Sequence, residues 1–158
     1  MSSTRLEDLA PGPRNKFTFF ESELIKHRLF FRRTCTVRER LEQAALYLRG
    51  RGSFAEIIEA YKLAGMTPPL EKFEPGWWKK KVTWIKISTH EQRRAVDYCE
   101  AGKRPYDLKI DVNKNQMPDW TEFAKIAKQC GLNAGFWWKN PDAPHVQDDE
   151  IYPKEGIV

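Results

Sequence analysis

This chain is poor in histidine and cysteine and has no long apolar run. Its 158 residues hold three histidines (His27, His90 and His145) and three cysteines (Cys35, Cys99 and Cys130). An odd number of thiols without paired metal-type spacing reads as reduced and structural. No segment approaches the ~18 consecutive apolar residues of a membrane-spanning helix. The opening stretch MSSTRLEDLAPGPRNK lacks the apolar core of a secretory signal. The expectation is therefore a chain made in the cytoplasm that reaches an outside target only after release by another agent. Internal repeats and low-complexity tracts are absent as well.

What is present suits one soluble α+β domain spanning residues 1–158. A chain of this size buries about two thirds of its surface and needs no staples. Hydrophobic residues make up 41% and charged residues 31%, an ordinary balance for a folded domain. The net charge of +5 favours an anionic partner: nucleic acid, a membrane surface or an anionic cell-wall polymer.

Residues 1–14, with Pro11 and Pro13, read as a leading arm. Phe17, Phe20 and Leu24 recur at helical spacing and predict a first helix over 15–28. Leu29 to Val37 is rich in aromatic and β-branched residues and reads as a strand. Thr36-Val37-Arg38-Glu39 and Ser53-Phe54-Ala55-Glu56 are capping-box patterns. The first opens a helix stopped at Gly50, and the second a helix closed by Gly65. Val82 to Ser88 and Leu108 to Val112 read as further strands. Asp119 caps a helix ending at Gly131, and His145-Val146-Gln147 forms a last short strand. The residues past about 148 read as tail. Trp77-Trp78-Lys79-Lys80-Lys81 reads as a surface loop or a sugar-facing edge, and His27, between Lys26 and Arg28, as a surface residue. Trp137 and Trp138 suit either core packing or a groove.

The residues with most chemical content are Ser88-Thr89-His90, then Asp97, then Asp142-Ala143-Pro144-His145. Two imidazoles and a carboxylate are a donor set suited to zinc, with a second carboxylate left over as a base. Ser-x-His, six residues, Asp, and a distant Asp-x-Pro-His resemble the zinc D-alanyl-D-alanine carboxypeptidase and L-alanyl-D-glutamate endopeptidase family, which includes many phage endolysins. The resemblance covers roughly residues 5–147. Leu6-x-x-Leu9-x-Pro11 is similar to the family's opening. Arg38, Glu42-Gln43, Ala45-Leu46-Tyr47 and Gly50-Arg51 resemble its Arg-x-x-x-Glu-Gln-x-x-Leu-Tyr-x-x-Gly-Arg helix. Val82-Thr83, Gly131-Leu132, Gly135 and Trp138-Lys139 also fit.

The resemblance implies a zinc-dependent peptidase acting as a monomer on bacterial peptidoglycan, with neither nucleic acid nor a membrane span involved. It implies that His90, Asp97 and His145 bind Zn2+, that Asp142 is the catalytic base, and that Arg38 sits beside the substrate carbonyl. One departure stands out. Arg93-Arg94 occupies the place where the family usually has glycine. Ser88-Thr89-His90-Glu91 is itself a capping-box pattern, and residues seven apart on a straight helix lie ~10 Å apart along its axis. Convergence of His90 and Asp97 on one ion therefore requires an irregular segment. Asp107 or Asp111 are the fallback ligands if that segment is helical. Two other classes remain open: a non-catalytic binding descendant of the same fold, and a basic nucleic-acid-binding domain using the Trp-Lys cluster.

Overall fold

The computed structural model describes residues 2–152. Phe17, Phe20 and Leu24 form the buried stripe of α1 (Pro11–Lys26). Pro11 opens the helix, where a missing N–H costs nothing. The first dozen residues are no loose arm, because Leu6 and Leu9 are buried in the main core. At the other end, Tyr152 Oη donates to Asp148 at 2.6 Å and ties down the start of the expected tail. The rest of that tail, 153–158, lies outside the described residues.

α2 (Arg40–Leu48) and α3 (Phe54–Leu63) form a helical hairpin. The α3 box at Ser53 and Glu56 is as the residue pattern predicts. The α2 box begins at Glu39 rather than Thr36. The backbone N–H of Thr36 is already engaged by Ser3, which keeps the chain extended as far as Val37. α2 and α3 close over a second core of Ala45, Ile57, Tyr61 and Trp77. Trp77, expected on a surface loop, is thus a core residue. Arg49 secures it by donating through Nε and Nη2 to the Trp77 carbonyl at 3.0 and 2.8 Å. α4 (Asp119–Gln129) packs Trp120, Phe123, Ala124 and Ala127 into the main core.

Four strands, all antiparallel, stand in the order β1 (Phe31–Cys35), β2 (Ala95–Glu100), β4 (His145–Gln147) and β3 (Asn133–Ala134). With four α-helices among the described residues this is the expected α+β architecture. Two expected strands are absent. Val82–Ser88 runs as an irregular loop with Val82, Trp84, Ile85 and Ile87 exposed. In the segment Leu108–Val112, Asp107 captures the backbone N–H groups of Lys109 and Ile110 that a ladder would need.

The run after Ser88 is not a helix either. It makes a tight turn through Arg93 and then enters β2. The Arg93 N–H donates to His90 O at 3.1 Å, and Arg94 N–H to Thr89 O at 3.1 Å. Strand pairing on both sides of the Ala-Val-Asp-Tyr-Cys run overrides the local capping pattern. Arg93 turns the corner at φ +57°, a left-handed conformation that glycine adopts without cost. The left-handed penalty for a side-chain-bearing residue is about 1–2 kcal/mol. Arg93→Gly is therefore expected to stabilise the fold by about 1 kcal/mol, raising Tm by roughly 2–4 °C for a chain of this size. Thermal unfolding of the variant beside the parent checks this, and a lower Tm refutes it.

Candidate metal centre

β1, β2 and β4 are neighbours, and their register sets Cys35 opposite Asp97 and Asp97 opposite His145. Residues facing one another across antiparallel strands share one side of the sheet. Val96, Tyr98 and Val146 point the other way, into the main core. The β1–β2 register shifts between Arg33 and Cys35, an irregularity of the kind that re-aims a side chain. His90 joins the row from the turn before β2.

The partners of each imidazole fix where its lone pair points. His90 is 2% exposed. Its Nδ1 lies 3.2 Å from the Thr36 carbonyl oxygen, which can only accept, so Nδ1 carries the proton. Nε2 of the neutral ring then faces Asp97 Oδ1 at 3.1 Å without making a hydrogen bond. His145 repeats this with its ring reversed. Gln147 Nε2 donates to Asp149 Oδ1 at 2.6 Å, which turns Gln147 Oε1 toward His145 Nε2 at 3.0 Å. His145 Nε2 therefore donates, and its Nδ1 faces the same Asp97 Oδ1 at 2.9 Å.

Two ring lone pairs thus converge on one carboxylate oxygen, an arrangement that is repulsive unless a cation lies among them. Protons are one answer. Burial works against a charged His90, but the nearby Asp97 carboxylate prevails and raises its pKa to about 9. Burial likewise opposes ionisation of Asp97, and the two imidazoles overcome it, holding its pKa well below the ordinary carboxylate range. A divalent metal is the other answer, and the donors fit it. Tetrahedral zinc with bonds of about 2.0–2.2 Å places its ligand atoms roughly 3.3 Å apart. The two separations here are close to that. Cys35, His90 and Asp97 also form a metal-capable group, each offering a ligand atom within 4.8 Å of the others.

His90, Asp97 and His145 lie in the wall of a cavity of about 690 Å³. Arg38 lines it, held by Nη1 donating to Gln43 Oε1 at 3.0 Å, and its Nη2 lies 3.6 Å from Asp97 Oδ2. Gln43 in turn donates to the Ile85 carbonyl at 2.8 Å, tying α2 to the irregular 82–88 loop. Asp142 also lines the cavity. Although the residue is exposed, desolvation of its carboxyl is the main influence and holds its pKa above the ordinary value, with His145 pulling the other way. Gly135 sets its position: the Asp142 N–H donates to Gly135 O at 2.9 Å, and a Cβ on Gly135 would overlap the Asp142 carbonyl. Trp84, Tyr106 and Trp138 give the cavity aromatic walls, whereas Trp137 points elsewhere, its Nε1 donating to Ala124 O at 3.3 Å.

The structure therefore brings together His90, Asp97, His145, Arg38 and Asp142. It leaves out the fallback ligands. Asp107 pairs with Arg104 at 3.1 Å, and Asp111 accepts from the backbone of Asn115 and Gln116. His27 is also elsewhere, 2.9 Å from Glu122. Two members were missed in the sequence. Gln147 stands two residues past His145, so strand periodicity puts it on the same face. Cys35 carries no such signal, because the register shift that aims it is not written in residue types.

No family model matches this chain, and no curated protein matches it. Among solved structures, it is similar to the crystal structure of Serratia marcescens L-Ala D-Glu endopeptidase ChiX. The identity is 16% and the TM-score 0.48, over 90% of this chain and 81% of that one.

If Gln147 fixes the His145 ring for a metal, Gln147→Leu should weaken divalent-metal binding by about 10- to 100-fold, the usual effect of losing a group that orients a ligand. Competition against a chromogenic chelator measures this. Unchanged affinity would remove Gln147 from the centre.

Proposed function

We propose that this chain is a zinc-dependent peptidase that hydrolyses an amide in the stem peptides of bacterial peptidoglycan, in the manner of a phage endolysin. The observation carrying the proposal is the pinned pair of imidazoles directed at Asp97 Oδ1, beside a cavity that also holds Arg38 and Asp142. His90, through Nε2, His145, through Nδ1, and Asp97 would hold the zinc. When bound, the zinc would supply Lewis-acid chemistry, lowering the pKa of a water and polarising the scissile carbonyl.

The remaining roles belong to the chain itself. Asp142 takes a proton from the attacking water and returns one to the leaving amine, and a carboxyl with a raised pKa is the better suited to do both. Arg38 places a fixed positive charge where the oxyanion develops. The aromatic walls receive the peptide, and the net charge of +5 favours approach to an anionic wall polymer.

His145→Ala should abolish stoichiometric zinc while His27→Ala leaves it intact; one zinc per chain in both variants sinks the assignment. Asp142→Asn should keep its zinc and lose about 10²–10⁴ in turnover on purified peptidoglycan. Loss of zinc would instead make Asp142 a ligand, and unchanged turnover would remove it from the mechanism.

Cys35 favours a second reading, a non-catalytic binding descendant of the same fold. Its sulfur stands in the group with His90 and Asp97, where it would take the position a catalytic site keeps open for water. Cobalt substitution separates the two readings. A strong near-ultraviolet sulfur-to-cobalt band that disappears in Cys35→Ser supports the closed site, and its absence supports the peptidase.

A further inference from the structure

The segment leading into α4 plays no part in the proposed peptidase, yet it carries a metal-binding pattern of its own. From Asp111 to Glu122 it reads Asp-Val-Asn-Lys-Asn-Gln-Met-Pro-Asp-Trp-Thr-Glu. Oxygen-bearing side chains stand at the first, third, fifth, ninth and twelfth places: Asp111, Asn113, Asn115, Asp119 and Glu122. This is the spacing with which an EF-hand loop surrounds calcium, the seventh residue adding its main-chain carbonyl. The sixth place, where that loop turns sharply on a glycine, is Gln116, and it adopts φ +71°. The chain is already wrapped around the first ligand. Asp111 accepts from the N–H groups of Asn115 at 3.1 Å and Gln116 at 2.8 Å. The side-chain amides of Asn113 and Asn115 meet at Glu122 Oε2, at 3.0 and 2.7 Å.

A separate observation, from outside the loop, points to a cation. Glu100 at the end of β2 is 4% exposed, and its Oε2 is buried with no hydrogen-bond partner. Its carboxyl abuts that of Asp119, the ninth residue of the loop and itself 2% exposed. Asp107, Asp111 and Glu122 add further negative charge around the pair. Among the described residues, no lysine or arginine forms an ion pair with Glu100, Asp111 or Asp119; the nearby ion pairs go to Asp107 and Glu122. Buried carboxylates gathered without a counter-charge are costly unless protonated or bound to a cation.

We infer that residues 111–122 form a calcium site, with the buried carboxylate of Glu100 backing Asp119. In the present arrangement Glu122 is drawn to the two amides and to His27 Nδ1 at 2.9 Å. Binding requires the Asn113 and Asn115 amides to turn their oxygens inward and Glu122 to release them. Calcium tolerates such a mixed, flexible oxygen set, whereas magnesium demands near-ideal octahedral geometry. Amides at two of the ligand positions lower the charge of the site, so the affinity falls in the weak range, with Kd on the order of 10⁻⁵–10⁻³ M. The ion would fasten two elements together: the end of β2 through Glu100, and the start of α4 through Asp119 and Glu122.

Calcium chloride is titrated into the full chain after chelator treatment, reading Tm and, in parallel, terbium luminescence sensitised by Trp120, the tenth residue of the loop. Tm should rise by about 5 °C at roughly 10 mM calcium, and magnesium at that concentration should give less than half the shift. Asp111→Asn and Glu122→Gln, which keep the side-chain shapes, should each weaken terbium binding at least ~10-fold, as loss of a ligand charge does. His145→Ala should keep both responses, since it touches only the centre at Asp97. The inference is overturned if neither readout responds in the parent chain, if both loop variants respond as the parent does, or if His145→Ala loses the response.

Discussion

Oδ1 of Asp97 is the point on which the rest of the centre depends. A carboxylate beside two buried or nearly buried imidazoles is tolerable only when every neighbouring donor and acceptor is arranged for it. The Thr36 carbonyl fixes one ring and Gln147 the other, in opposite tautomers, so that different ring nitrogens reach the same oxygen. Arg38 covers the second oxygen, Oδ2, at 3.6 Å. Gln43, which holds Arg38, also reaches the Ile85 carbonyl, so the position of the outer loop is linked through two side chains to the charge of Asp97.

The period of β2 makes this possible. Val96 and Tyr98 point into the core with Phe20 and Phe123, while Asp97 between them points into the cavity. A slip of one residue would bury the carboxylate among aromatic rings and turn Val96 and Tyr98 toward the cavity instead. The hydrophobic face, with Phe20 packed edge-to-face on Tyr98 at 5.8 Å, therefore secures the register of the chemical face. On the far side, the close approach of Gly135 to the Asp142 carbonyl brings the β4 turn near enough for Asp142 to reach the same cavity.

Much of this was legible in the residues. The stripe of α1, the Ser53 box, the α4 face and the HVQ strand follow from periodicity and capping chemistry. What was not legible shares one physical cause: the local signal was sound, but a distant partner outbid it. Ser88 does accept from the His90 N–H, and Glu91 does accept from the Ser88 N–H, as in a capped helix. Pairing with β1 and β4 nevertheless claims the chain from Ala95 onward. Thr36 was displaced as a cap by Ser3, which lies more than thirty residues upstream. Leu108–Val112 alternates like a strand, but Asp107 and Asp119 take up its backbone donors. The five candidate site residues were singled out because their order along the chain resembles a family. Cys35 was not, because only the shifted register brings it to Asp97.

β2 carries two acids three residues apart, Asp97 half-buried and Glu100 buried, whose ionisation is pushed in opposite directions. Burial raises the cost of charge at both. At Asp97 the imidazoles of His145 and His90 more than cancel it, and the carboxylate stays ionised. At Glu100 the neighbouring group is another carboxylate, so burial and partner act together. The same strand thus gives one acid that the protein supplies with positive charge and one that it does not. A chain with a surplus of five positive charges has basic residues to spare, yet none is paired with Glu100, Asp111 or Asp119 among the described residues. The deficit is therefore local rather than compositional. The fold gathers the oxygen atoms and leaves their charge unbalanced, as a loop that takes its cation from solution must do.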